Sequence, residues 1–124
     1  MSFSFGRELR LCSAADFKQV FDKTDIKVSC PQLLILARVN RGENPRLGLV
    51  VAKKNIRTAT GRNRAKRHIR ETFRLRQDEI GTLDIVVLVR KGFGELEDNE
   101  LNRLLTKQWT RLSRRLNEWK QPRH

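Results

Sequence analysis

The sequence predicts an α+β fold, a single-domain αβββαβα two-layer sandwich, on three observations. Apolar residues recur at helical spacing in three stretches, and four other stretches are β-rich. One of those four, residues 84–89, is apolar without alternation after Asp84, which suits a central strand covered on both faces. At 124 residues and 38% hydrophobic content the chain suits one core, and hence one domain over residues 1–124.

In chain order, Ser13 followed by Asp16 resembles a helix-capping pair, and Phe17, Val20 and Phe21 then fall at i, i+3 and i+4, predicting a short amphipathic helix. Strands are expected at 26–30, broken by Pro31, then at 33–39 and 47–52, with the turn at 40–45 joining the last two as a hairpin. A long polar helix begins near Thr60 and Gly61 and runs to about Glu79, with Ala65, Ile69 and Phe73 on one side and Gly81 ending it. After the apolar strand, Gly92 and Gly94 supply a turn. A last helix starts near Asp98 with Leu101, Leu105, Leu112, Leu116 and Trp119 as its apolar stripe and Trp109 at the edge of that stripe.

The net charge is +13, and its distribution says more than its size. Residues 1–52 hold 8 basic and 5 acidic side chains, and residues 77–124 hold 9 and 8. Between Lys53 and Arg76 ten basic residues face Glu71 alone. A solvated helix ordinarily mixes both signs, so this concentration points to a polyanion partner. On the helix, Arg62, Lys66 and Arg70 form one ridge and Asn63, Arg67 and Arg74 the next, a rail for phosphates beside the apolar face. Arginine suits such a rail because its planar fork binds phosphate oxygens bidentately and stacks on bases. The unpaired N–H groups of the helix start favour a phosphate near Arg62 to Arg64.

The run Arg62-Asn63-Arg64-Ala65-Lys66-Arg67, followed by Arg70, resembles the Arg-Asn-Arg-x-Lys-Arg-x-x-Arg signature of the bacterial ribonuclease P protein family. Residues 5–11, Asp16-Phe17 with Val20-Phe21, 48–54 and 84–92 extend the resemblance over most of the chain, in order. It implies a ribosomal-protein-S5-domain-2-like fold with a left-handed βαβ crossover, against the right-handed rule that holds in roughly 98% of such units. It also implies a subunit of the endoribonuclease that removes the 5′ leader from precursor tRNA, a hydrolase whose active site lies on its RNA. The partners implied are ribonuclease P RNA, with one protein per catalytic RNA, and precursor tRNA with its 5′ leader. Arg62, Asn63, Arg64, Lys66, Arg67 and Arg70 would contact the catalytic RNA, and Phe17, Phe21, Leu36, Val51, Lys53, Lys54 and Arg90 would form the leader cleft. Leu36 stands where some members of the family carry a tyrosine, a residue this chain lacks. No catalytic residue, metal ligand or cofactor is expected on the protein, and magnesium is required by the RNA-based holoenzyme.

Other classes fare worse. A protein nuclease needs converging carboxylates or a positioned histidine. The chain offers His68, His124 and an acidic cluster at Glu95, Glu97, Asp98 and Glu100 that reads as the first turn of a helix. A ribosomal or ribosome-assembly RNA-binding protein is the alternative, separated by the motif and its flanks. No helix-turn-helix pair or zipper indicates a DNA regulator, and three apolar positions are too few for a membrane-surface helix. Cys12 and Cys30 lack CxxC spacing and read as free thiols. Without a signal peptide or membrane-length apolar run, a cytoplasmic location is expected.

Overall fold

The computed structural model describes residues 14–40 and 44–120. Ser13, Cys12, His124 and the stretch 5–11 lie outside the described residues. Four strands, β1 (Ile26–Cys30), β2 (Leu33–Val39), β3 (Arg46–Val50) and β4 (Leu83–Val89), form one sheet in the order β1-β2-β4-β3. β1 and β2 are antiparallel, β2 and β4 antiparallel, and β3 and β4 parallel. The helices are α1 (Ala14–Asp22), α2 (Ala59–Leu75), α3 (Gln77–Ile80) and α4 (Asp98–Lys120).

The expected hairpin between the second and third strands does not form. Pro31 and Gln32 instead close a hairpin of β1 with β2, the pair Cys30 and Leu33 standing opposite each other, and β4 inserts between β2 and β3. The continuous apolar character of β4 explains the insertion: Leu83, Ile85, Val86 and Val87 are all fully buried, and only an interior position covers both faces.

Strand alternation sorts the sheet into two faces. Ile35, Ile85, Val87 and Leu47 join Ala65, Ile69 and Phe73 of α2 and Leu101, Leu105, Trp109 and Leu112 of α4 in the main core. On the other face Leu36 and Val86 meet Val20 of α1, with Phe17, Leu34, Val50 and Leu88 around them. Among the described helices, α1 packs on the second face of the sheet, opposite α2 and α4.

Thr58 caps α2 by accepting the Gly61 N–H at 3.0 Å, so the helix starts earlier than Thr60. It does not run unbroken to Glu79. Arg76, with φ −115° and ψ 13°, interrupts it, and α3 follows as a single turn ended by Gly81 at φ 75°. At the break, the Gln77 amide donates to the Arg74 carbonyl, satisfying one of the groups a helix end leaves open.

The two tryptophans exchange the places the sequence assigns them. Trp109 is fully buried, its Nε1–H donating to Thr72 Oγ1 at 2.9 Å and its ring meeting Phe73 edge-on at 5.7 Å. Trp119 is 47% exposed. The reason is position along α4: Trp109 lies over the sheet and against α2, whereas Trp119 lies in the last turn, beside the open edge at β1.

Candidate nucleic-acid interface

Anchored by Ala65, Ile69 and Phe73, α2 turns three rows of polar side chains in different directions. The row of Arg64 and His68 faces α4. Arg64 Nε donates to Asp98 at 2.9 Å and its Nη2 to the Leu96 carbonyl at 2.7 Å. The two ring nitrogens of His68 meet Asn102 Oδ1 at 3.0 Å and Asp98 at 3.1 Å. The hydrogen bond from Arg64, and then that from His68, holds the Asp98 carboxyl below its usual range. Arg62 turns back to the preceding loop, donating to the carbonyls of Ile56 and Arg57 at 3.1 and 2.9 Å. Arg74 pairs with Glu71, whose carboxyl this hydrogen bond also lowers.

Asn63 and Arg67 are exposed on the outermost row, with Lys66 partly exposed on the row beside it. Among the described residues, no side chain pairs with Lys66 or Arg67. Arg70 continues the Lys66 row and has an interaction within the protein. Of the six residues expected to contact the catalytic RNA, Arg62 and Arg64 hold the protein's own backbone and Asp98, Arg70 has an interaction within the protein, and Asn63, Lys66 and Arg67 point outward.

The second face of the sheet is the other candidate surface. Phe17 and Leu36 are packed into its floor, while Phe21 stays 44% exposed at its margin. Val51 packs against the main core, and Val50 is the β3 residue on this face, with Leu34 and Leu88. Lys53 and Lys54 are exposed in the loop after β3. That loop is held in place by the Asn55 amide, which donates to the Val89 carbonyl at 2.9 Å, and by buried Ile56. Arg90 sits at the far end of β4, donating to Ser29 Oγ and the Cys30 carbonyl at 3.2 and 3.1 Å.

A polar network at the α1 end of this face escaped the sequence reading. Asp84 is almost fully buried and takes a bidentate fork from Arg46 at 2.9 and 2.7 Å, with the Asn40 amide at 2.8 Å. Arg46 also reaches Asp16 of α1 at 3.7 Å, and Arg38 donates to Gln19 at 2.6 Å. These contacts clip α1 to the sheet and place two guanidinium groups on the rim. The parity of Arg38 with Leu36 and of Asp84 with Val86 was the available signal.

Among the described residues, no three His, Cys, Asp or Glu side chains gather to hold a metal ion. No described helix is long and apolar enough to cross a membrane.

A sheet carrying one basic helix with outward cations, and an apolar second face with Arg38, Arg46 and Arg90 at its margins, defines a small basic α+β domain. The chain belongs to the ribonuclease P protein family, whose sequence model, described as Ribonuclease P, matches residues 5–113. The ribonuclease P protein component of Azotobacter vinelandii is 51% identical over 114 residues, covering 92% of this chain and 88% of that protein. The Staphylococcus aureus RNase P protein superposes with a TM-score of 0.73 at 25% identity, over 90% of this chain and 98% of that one. The Thermotoga maritima RNase P protein, solved in complex with 1-(4-fluorophenyl)-2-thiourea, gives 0.66 at 33% identity, over 79% and 98%.

Proposed function

We propose that this chain acts in the cytoplasm as the protein subunit of ribonuclease P. In this reading it binds the catalytic RNA along the outer rows of α2 and the 5′ leader of precursor tRNA across the α1 face, while the RNA subunit performs the cleavage. One observation carries the reading: Lys66 and Arg67 project from a helix whose apolar side is locked into the core, and no described side chain neutralises them. Cations held this way replace counterions along a phosphate backbone without reorganising the protein. Leader binding is supported by an apolar floor with a cationic rim, since stacking and phosphate contacts tolerate varied sequence. The magnesium the holoenzyme needs is assigned to the RNA.

The test is cleavage of precursor tRNA at low magnesium by a bacterial ribonuclease P RNA, with this protein, without it, and with the protein alone. Cleavage should require both components and weaken as the leader is shortened. A protein that binds RNA tightly yet leaves cleavage unchanged would overturn the assignment.

A further inference from the structure

Among the described residues no strand pairs with the outer edge of β1, which carries a second basic surface on the side of α4. Its last two outward carbonyls do not face solvent unpaired: Arg115 Nη1 donates to the Lys27 carbonyl and Arg111 Nη1 to that of Ser29 at 3.1 Å. Between this edge and the end of α4 lies a groove of about 490 Å³, lined also by Lys27, Arg114 and the half-exposed Trp119. Its wall also holds two carboxylates, Asp25, which accepts the Val39 N–H at 2.9 Å, and Glu118, beside the three guanidinium groups of Arg111, Arg114 and Arg115.

Resting on the leader-binding reading above, we propose that this groove is a second site for single-stranded RNA, taking leader nucleotides that pass off the α1 face over the β1 edge. Three features of the groove specify the occupant. Arg111 and Arg115 are fixed by the carbonyls they hold, so their remaining N–H groups are already oriented for phosphate oxygens. Trp119 offers an exposed ring on which an unpaired base stacks, a contact that tolerates any base. The same arginines occupy the edge carbonyls that an acidic peptide adding as a fifth strand would need, which disfavours a peptide.

Continuity with the α1 face comes through Ser29. Lys27 and Ser29 alternate with buried Ile26 and Val28 and so project onto that face. Ser29 Oγ takes Arg90 and the Ser29 carbonyl takes Arg111, so the end of β4, the β1 edge and the groove form one line of guanidinium groups.

The experiment measures the affinity of reconstituted holoenzyme for precursor tRNA with a short and a long leader, using wild-type protein, Trp119→Ala, Trp119→Phe and Arg114→Glu. All three changes fall on exposed positions, and thermal melting by circular dichroism confirms folding. Trp119→Ala should weaken long-leader binding about tenfold. Arg114→Glu should weaken it severalfold in a salt-dependent manner, Trp119→Phe should restore most of the affinity, and the short-leader substrate should bind as to wild type. Equal losses for both leaders would place the groove's partner elsewhere and overturn the proposal, as would wild-type affinity in Trp119→Ala and Arg114→Glu. If wild-type holoenzyme itself ignores leader length, the leader reading fails and this site falls with it, an outcome distinct from failure of the groove alone.

Discussion

Replacing Arg67 with alanine removes a cation that no described side chain holds, whereas Arg64→Ala removes one already spent on Asp98 and the Leu96 carbonyl. Each phosphate contact contributes about 0.7 to 0.9 to the slope of log affinity against log salt. Between about 1 M and about 0.15 M salt, that slope converts to roughly four- to fivefold in affinity per contact. Arg67→Ala should therefore lower affinity for ribonuclease P RNA by about that factor at physiological salt and flatten the slope by nearly one unit. Arg64 must release its protein partners before it engages a phosphate, so Arg64→Ala should change the slope by less than half as much. Fluorescence anisotropy titrations across a salt series measure both quantities. Equal slope changes in the two variants, or none in either, would refute the division of α2 into inward and outward rows.

Further predictions concern the framework that holds these surfaces. Arg46→Ala leaves the carboxylate of Asp84, whose side chain is 5% exposed, with the Asn40 amide but without its counter-charge. It should lower stability in urea by about 3 to 5 kcal/mol, and a loss below about 1 kcal/mol would show that the pair is not the clip inferred here. Thr72→Val leaves the buried Trp109 N–H without its acceptor and should cost about 1 to 3 kcal/mol in the same assay. At Gly61 a Cβ would stand 2.8 Å from both Ile56 Cγ2 and Thr58 Oγ1. Gly61→Ala should accordingly displace the cap and cost about 1 kcal/mol, read as a lowered melting temperature. The carboxyl of Asp98 is lowered in the folded state, so its contribution is fully present above its unfolded value and is lost as pH falls through the folded one. The melting difference between wild type and Asp98→Asn should thus be complete near neutral pH and close in acid, and a difference independent of pH would exclude the ion pair as its source.

Much of the fold was legible because its signals are local. The period of Ala65, Ile69 and Phe73 sets which side of α2 enters the core, and the unbroken apolar run of β4 sets its central place. Strand partners were less legible. Proximity in the chain favours a hairpin of β2 with β3, yet the need to bury both faces of β4 draws it between them. The side of the sheet taken by α1 was likewise beyond pattern, since an amphipathic helix fits either face. At the candidate site, the sequence identifies the basic cluster but not its internal division. Arg64 and Arg67 are equal as letters, and only the packing of α4 along one flank of α2 turns one inward and leaves the other outward.

The amino-acid sequence by itself determined the family, the α+β class and the concentration of cations between Lys53 and Arg76, because motif, periodicity and charge are properties of neighbours along the chain. Only the tertiary structure decided which cations are uncommitted, which tryptophan is buried and where β1 leaves an open edge for α4 to line. Those outcomes depend on contacts such as Arg64 with Asp98, Thr72 with Trp109 and Lys27 with Arg115, which join residues 34, 37 and 88 positions apart. Burial and partner choice at such separations are set by how the elements pack, and packing is not written in any local stretch of sequence.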